Sequence, residues 1–309
     1  MTLLAVRDLR VEFPTAAGPL VVCDGVSFDV AAGEVVGVVG ESGCGKTIMA
    51  LSLLDLVPPP GRVTAGSIRL NGEELRGASP RRWRRVRGRR IGMVFQEPGR
   101  ALDPVHTVAA HLREAGGRGV DVGGLLTAVG LEPAHARRYP HQLSGGQAQR
   151  AMIAVAIAGR PQVIVADEPT SSLDTVRQVG VLAELLRLRD ELGCAIVLVS
   201  HQLGIISRVA DRVLVMYLGQ VMEHTDVTSF AHRPLHPYTR ALLAAAPQGR
   251  STLPRPIPGP PGQLTAVPAG CPFHPRCPEA EPVCALARPG LRRVAPGRGA
   301  ACVHVPETR

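Results

Sequence analysis

The sequence predicts an α/β fold in which a phosphate-binding loop joins a buried strand to a helix, and three observations carry that reading. First, the apolar run Glu34-Val35-Val36-Gly37-Val38-Val39 leads straight into Gly40-Glu41-Ser42-Gly43-Cys44-Gly45-Lys46-Thr47, which matches G-x-x-x-x-G-K-[ST] in full. The stretch from Thr47 to Leu54 then reads as a helix. Second, Val163-Ile164-Val165-Ala166 and Ala195-Ile196-Val197-Leu198-Val199 are continuous apolar runs, as parallel strands covered on both faces require. A helix over 176–191 between them closes a β-α-β unit. Third, residues 1–32 alternate apolar and polar positions (Leu9, Val11, Phe13; Val22, Val26, Phe28, Val30) around a Gly18-Pro19 turn, so antiparallel strands come before the parallel core.

The remaining elements follow in order. Pro58-Pro59-Pro60-Gly61 ends the first helix, and a strand over 66–70 closes on the Asn71-Gly72 turn. Residues 81–90 hold seven arginines in ten positions. A helical region is expected over 107–160, interrupted by glycines between 116 and 124, and a strand pair near 213–223. From Pro247 to Gly270 seven prolines and weak periodicity predict a linker or an extended wrap.

Composition bounds the class. The 309 residues are 45% hydrophobic and 20% charged, which excludes an intrinsically disordered chain. No stretch approaches the roughly 18 apolar residues of a membrane span, and the N-terminus lacks a basic-then-apolar leader, so a cytoplasmic location is expected. There a reducing environment disfavours disulfides among the seven cysteines. Four of them, Cys271, Cys277, Cys284 and Cys302, crowd the final stretch and point to a metal or cluster site.

Of 35 basic residues only Lys46 is a lysine; the other 34 are arginines. The exception marks a position where arginine fails, because a compact ammonium reaches between phosphates where a planar guanidinium is bulkier. The loop glycines turn N–H groups toward phosphate oxygens, the helix N-terminus adds partial positive charge, and the Thr47 hydroxyl suits Mg²⁺. Downstream, Asp167 and Glu168 end an apolar strand, where an Asp associates with Mg²⁺ and a neighbouring carboxylate activates water. Gln96, the Leu143-Ser144-Gly145-Gly146-Gln147 run and His201 are each weak alone, but their joint presence and order are specific. Ser144 suits an N-cap, and the glycines after it open an anion site.

With these motifs the chain resembles the ATP-binding subunit of an ABC transporter over essentially its whole length. The resemblance implies an ABC-type P-loop NTPase cassette: a RecA-like core, an antiparallel β-subdomain and a helical subdomain at about 97–160. The cassette would span 1–246, and 247–309 would form a proline-rich linker and a small cysteine-containing C-terminal extension. It implies ATP binding by Gly40, Glu41, Ser42, Gly43, Cys44, Gly45, Lys46 and Thr47, and by the signature residues Ser144, Gly145, Gly146 and Gln147. Catalysis would rest on Glu168, His201 and Gln96, and Mg²⁺ on Thr47, Gln96 and Asp167. Ser172-Leu173-Asp174 matches the D-loop, and Phe13 is the candidate for stacking on adenine. Gln202 stands where the family usually has an acid after the switch histidine.

The run Arg233-Pro234-Leu235-His236-Pro237-Tyr238, followed by Cys271-Pro272-Phe273-His274-Pro275-Arg276-Cys277, resembles the C-terminal extension of oligopeptide, dipeptide and nickel importers. It implies ATP-driven import of peptides, with nickel or another small solute as the alternative. The implied partners are a second ATPase subunit, two permease subunits and an extracytoplasmic solute-binding protein, all meeting at the cytoplasmic face of the membrane. A nucleic-acid-associated ABC ATPase is the other class that the arginine run suggests. It is disfavoured because those proteins carry two cassettes and this chain has one. The C-x5-C-x6-C-x17-C spacing lacks the tight pairs usual in zinc sites and favours a [4Fe-4S] cluster, with free thiols and then zinc as the alternatives. Because the hydrolytic motifs end by His201, such a cluster is expected to be structural, fastening the proline-rich tail back onto the cassette or its membrane partner, so that its loss reduces stability or assembly more than intrinsic ATP chemistry.

Overall fold

The computed structural model describes residues 2–170, 175–246 and 254–306. Long strands β1 (Thr2–Thr15) and β2 (Gly18–Ala31) open the chain and are joined across the two-residue turn Ala16-Ala17. β3 (Val35–Val39), buried throughout, feeds the glycine loop and α1 (Lys46–Ser52). β4 (Arg62–Leu70) and β5 (Glu73–Glu74) pair antiparallel around the Asn71-Gly72 turn. α2 (Pro80–Val86) starts on Ser79, whose side chain accepts from the Arg82 N–H, and buries Trp83 and Val86 while Arg81, Arg84 and Arg85 stay exposed and Arg82 is half-buried. The arginine run is thus the polar face of an amphipathic helix.

β6 (Ile91–Val94) and the short α3 (Pro98–Ala101) follow. The expected helical region over 107–160 is divided into α4 (Val108–Gly116), α5 (Val122–Ala128) and α6 (Gly145–Ile157). Between α5 and α6 lie two 3₁₀ turns, each with a proline in its first turn (Pro133, Pro140), where a continuing helix would lose a hydrogen bond. β7 (Val163–Asp167) and β8 (Ala195–Val199), both buried throughout, flank α7 (Thr175–Leu192), as their apolar runs predict. α8 (Leu203–Val209), β9 (Arg212–Tyr217), β10 (Gln220–Asp226), α9 (Val227–His232) and α10 (Pro237–Ala245) come next. The extension then forms α11 (Pro282–Leu286) and a hairpin of β11 (Arg292–Ala295) and β12 (Arg298–Ala300).

The chain divides into two compact units. One comprises Met1–Leu4, Val30–Glu34 and Gly77–Leu198; in it the strands neighbour each other in the order β6-β7-β8, with β6 and β7 parallel. The other comprises Ala5–Asp29, Val35–Arg76 and Val199–Arg309. Here β3 pairs parallel with β9, and β10 and β12 extend the sheet antiparallel, β12 binding β10 through Glu223↔Ala300 and His224↔Gly299. The last strands of the extension complete the edge of the sheet that carries the glycine loop, while the described part of the stretch expected to be a linker or wrap forms one 3₁₀ turn, Leu264–Ala266. The Glu223 carboxylate, fully buried, accepts the N–H groups of Leu235 and His236 and fastens the start of α10 to β10.

Candidate functional site

The loop from Gly40 to Thr47 follows the carboxyl end of β3 and turns on glycines in the left-handed region, with φ of 153° at Gly40, 77° at Gly43 and 104° at Gly45. At two of them the space is as restrictive as the dihedral. A Cβ on Gly40 would lie 2.1 Å from the Met216 carbonyl oxygen, and one on Gly45 would lie 2.5 Å from that of Val22. Gly45 is the N-cap of α1 and no side chain caps the helix start, so its N–H groups face the loop. Lys46 is 6% exposed; its Nζ donates to the carbonyls of Gly40 (2.9 Å) and Glu41 (2.8 Å). Burial pushes the Cys44 and Cys23 thiols up, Cys23 to about 12, so both stay neutral beside this ammonium at ordinary pH. Thr47 is exposed on the first turn of α1.

In the other unit the parallel register Ile91↔Val163 to Val94↔Ala166 brings the residues beyond β6 and β7 side by side. The same offset pairs Gln96 with Glu168, and the Gln96 Nε2 donates to Glu168 Oε2 at 3.1 Å. Asp167 ends β7 and is 3% exposed. Glu168 has φ 44°, a conformation that is costly for a residue with a Cβ and common at functional sites.

The signature run opens α6. Ser144 is its N-cap and forms a reciprocal capping box: Ser144 Oγ accepts from the Gln147 N–H, and the Ser144 N–H donates to Gln147 Oε1 at 3.0 Å. Buried His135 extends this support. Its Nδ1 lies 3.1 Å from the Glu132 carbonyl and its Nε2 lies 3.1 Å from Gln147 Nε2, so a proton on Nδ1 satisfies both contacts. Ser144 and Gly145 are exposed. His135 was not among the residues the sequence singled out, because nothing in the pattern marks a histidine nine positions before the serine.

The other predicted positions are placed as follows. Phe13 is half-buried, with its ring over Gly61, where a Cβ would come within 2.4 Å of a ring atom. His201 is exposed in the turn between β8 and α8, and Gln202 is the N-cap residue of α8. Ser172-Leu173-Asp174 lies outside the described residues.

Cys271, Cys277, Cys284 and Cys302 line one cavity with His236, His274 and His304. Three of the thiols are buried and Cys277 half-buried; burial, with the neighbouring cysteines adding to it, pushes Cys271 up to about 11. Among the described residues no group of three or more His, Cys, Asp or Glu is placed to hold a metal ion. The ligand set expected at these four positions is therefore not arranged as a single-ion cage.

The extension reaches the phosphate loop through Arg276. Its guanidinium, 5% exposed, grips the Glu41 carboxylate with two bonds of 2.7 and 3.0 Å. The Tyr238 hydroxyl accepts the Glu41 N–H at 2.8 Å. The extension thus ends on the second residue of the phosphate loop. Nothing in the local pattern marks Arg276, whose partner lies 235 positions away.

Two regions match known families: residues 23–171 match the ABC transporter family and 222–284 the oligopeptide/dipeptide transporter C-terminal region. The dipeptide transport ATP-binding protein DppD of Escherichia coli is 40% identical, over 99% of this chain and 97% of that protein. The oligopeptide transport ATP-binding protein OppD of Mycobacterium tuberculosis is 40% identical over 98% of this chain and 52% of its own length. Among solved structures, the dimeric bacterial ABC transporter cassette MJ0796 superposes with a TM-score of 0.66 at 26% identity, covering 73% of this chain and 99% of that one. Among the described residues no helix is long and apolar enough to cross a membrane.

Proposed function

Since the chain belongs to the ATP-binding proteins of peptide ABC transporters, we propose that it hydrolyses ATP to power import of di- and oligopeptides across the cytoplasmic membrane. The observation that carries the reading is the bond from Gln96 to Glu168, which holds an amide and a carboxylate at one point beyond two parallel strands. In this role Glu168 takes the proton of the attacking water and Gln96 orients it. Lys46 and the loop amides hold the β- and γ-phosphates, His201 contacts the γ-phosphate, and Phe13 stacks on adenine. Thr47, Gln96 and Asp167 offer the oxygen donors that suit Mg²⁺, which when bound neutralises charge on the phosphoryl oxygens. The signature residues Ser144, Gly145, Gly146 and Gln147, the first two of them exposed, serve the nucleotide of a second ATPase subunit.

In this reading residues 1–246 are the cassette, with its helical subdomain at about 97–160, and 247–309 the extension. The chain works at the cytoplasmic face with two permease subunits and an extracytoplasmic binding protein. The donor set supports a [4Fe-4S] cluster on Cys271, Cys277, Cys284 and Cys302. Four thiols lining one cavity are the donor set that such a cluster would take. When bound, such a cluster supplies a cross-link among these segments. Anaerobic protein with broad visible absorption and roughly four irons per chain supports it, and colourless, iron-free protein removes it.

The function is tested by co-purifying the tagged chain and measuring ATPase activity of the recovered assembly in proteoliposomes. Recovery of two permeases and stimulation by a peptide-loaded binding protein is the expected result. A peptide-insensitive ATPase without permeases would overturn it.

A further inference from the structure

The phosphate loop carries an oddity: Glu41 places a carboxylate in a loop whose ligand is a polyanion. That charge is felt inside the loop, since it acts against ionisation of the Cys44 thiol. The structure supplies a partner from far along the chain. Arg276 meets Glu41 through two parallel bonds of 2.7 and 3.0 Å, and the guanidinium itself is held by the Pro258 carbonyl at 2.8 Å and the Tyr217 hydroxyl at 3.2 Å. It also lies 5.9 Å from the Tyr217 ring centre and 6.0 Å from that of Phe273. A fork fixed on every side cannot easily leave its carboxylate. Glu41 is pinned at three points: its carboxylate by Arg276, its N–H by the Tyr238 hydroxyl, and its carbonyl by the Lys46 ammonium.

We infer that Arg276 is a positioning residue for nucleotide binding: it cancels the charge of Glu41 and holds it away, so that Lys46 meets the phosphates unopposed. The inference rests on the ATP-binding reading above. It makes the cysteine-bearing extension a determinant of ATP affinity through a charge pair. A brace that acted by shape alone would have no preference for the charge at position 41.

The test uses the full-length chain, Mg²⁺ and the fluorescent nucleotide mant-ATP. Arg276→Gln leaves Glu41 unneutralised and should raise the Kd about tenfold, the order expected of one uncompensated charge near the phosphates. The loss should shrink as salt rises from about 0.05 to 0.5 M, where screening shortens. Steady-state turnover should show the defect in KM, with kcat within about threefold. The deciding variant is the double substitution Glu41→Gln with Arg276→Gln: removal of both charges should return the Kd to within about threefold of wild type. A double variant as weak as Arg276→Gln alone would overturn the inference, as would unchanged affinity in the single variant. Should Arg276→Gln fail to fold, Arg276→Lys decides: it keeps the charge and should bind within about threefold, and a tenfold loss there overturns charge cancellation. A wild-type chain that binds no mant-ATP overturns the ATP-binding reading itself, and the inference with it.

Discussion

Two glycine-rich turns each open a helix in this chain, and they are built in opposite ways. At Gly45 no side chain caps α1, and the loop before it is crowded from behind: Gly40 and Gly45 have no room for a Cβ, and Lys46 is nearly buried. At Ser144 a capping box satisfies the first turn of α6, His135 steadies Gln147, and Gly145 has open space around it. The first turn is held from behind and bare in front. The second supplies its own partners and stands exposed. A site that keeps its own ligand leaves its donors unclaimed by side chains, whereas a surface offered to another body is self-satisfied until that body arrives.

The largest expected effect tests the chemistry that both turns serve. Glu168→Gln should lower turnover by roughly two orders of magnitude or more while leaving ATP binding intact, measured as steady-state hydrolysis beside a binding titration. Near-normal turnover would take the general-base role from Glu168. Next comes packing behind the first turn. Gly40→Ala meets both a left-handed backbone and the Met216 carbonyl, and should cost about 2–4 kcal/mol in chemical denaturation. Lys46→Arg keeps the charge but not the compact head, and should weaken nucleotide affinity or turnover roughly tenfold. Unchanged affinity with unchanged turnover would make the lone lysine an accident of composition. The smallest effect belongs to the second turn: Gly145→Ala should leave stability unchanged or raise it by about 0.5–1 kcal/mol, because it adds a methyl at an open helical position. If Gly40→Ala and Gly145→Ala proved equally disruptive, the contrast between a braced and a free-standing turn would fail.

The sequence made the first turn almost fully legible because its chemistry is local. Strand, glycines, lysine and helix follow within about twenty residues, and β3, β7 and β8 are continuous apolar runs because both faces are covered. The bond between Gln96 and Glu168 was legible only as two separate motifs; the parallel register that joins them is a tertiary fact. The helical region over 107–160 was read too continuously, since Pro133 and Pro140 each start a tight 3₁₀ turn there. The hairpin of β11 and β12 gave almost no signal: strands of four and three residues are stabilised by pairing, β11 with β12 and β12 with β10, not by their own periodicity. Arg276 was hidden for a plainer reason. Its partner is 235 positions away, and no local pattern announces it.

That separation sets an order of events during synthesis. At roughly 5–20 residues per second, about 10–50 s pass between the emergence of Glu41 and that of Arg276. Through that interval the nascent chain carries a phosphate loop whose own carboxylate has no counterion. The glycines and the lysine of the loop are therefore in place along the chain well before the residue that completes the charge pair of Glu41.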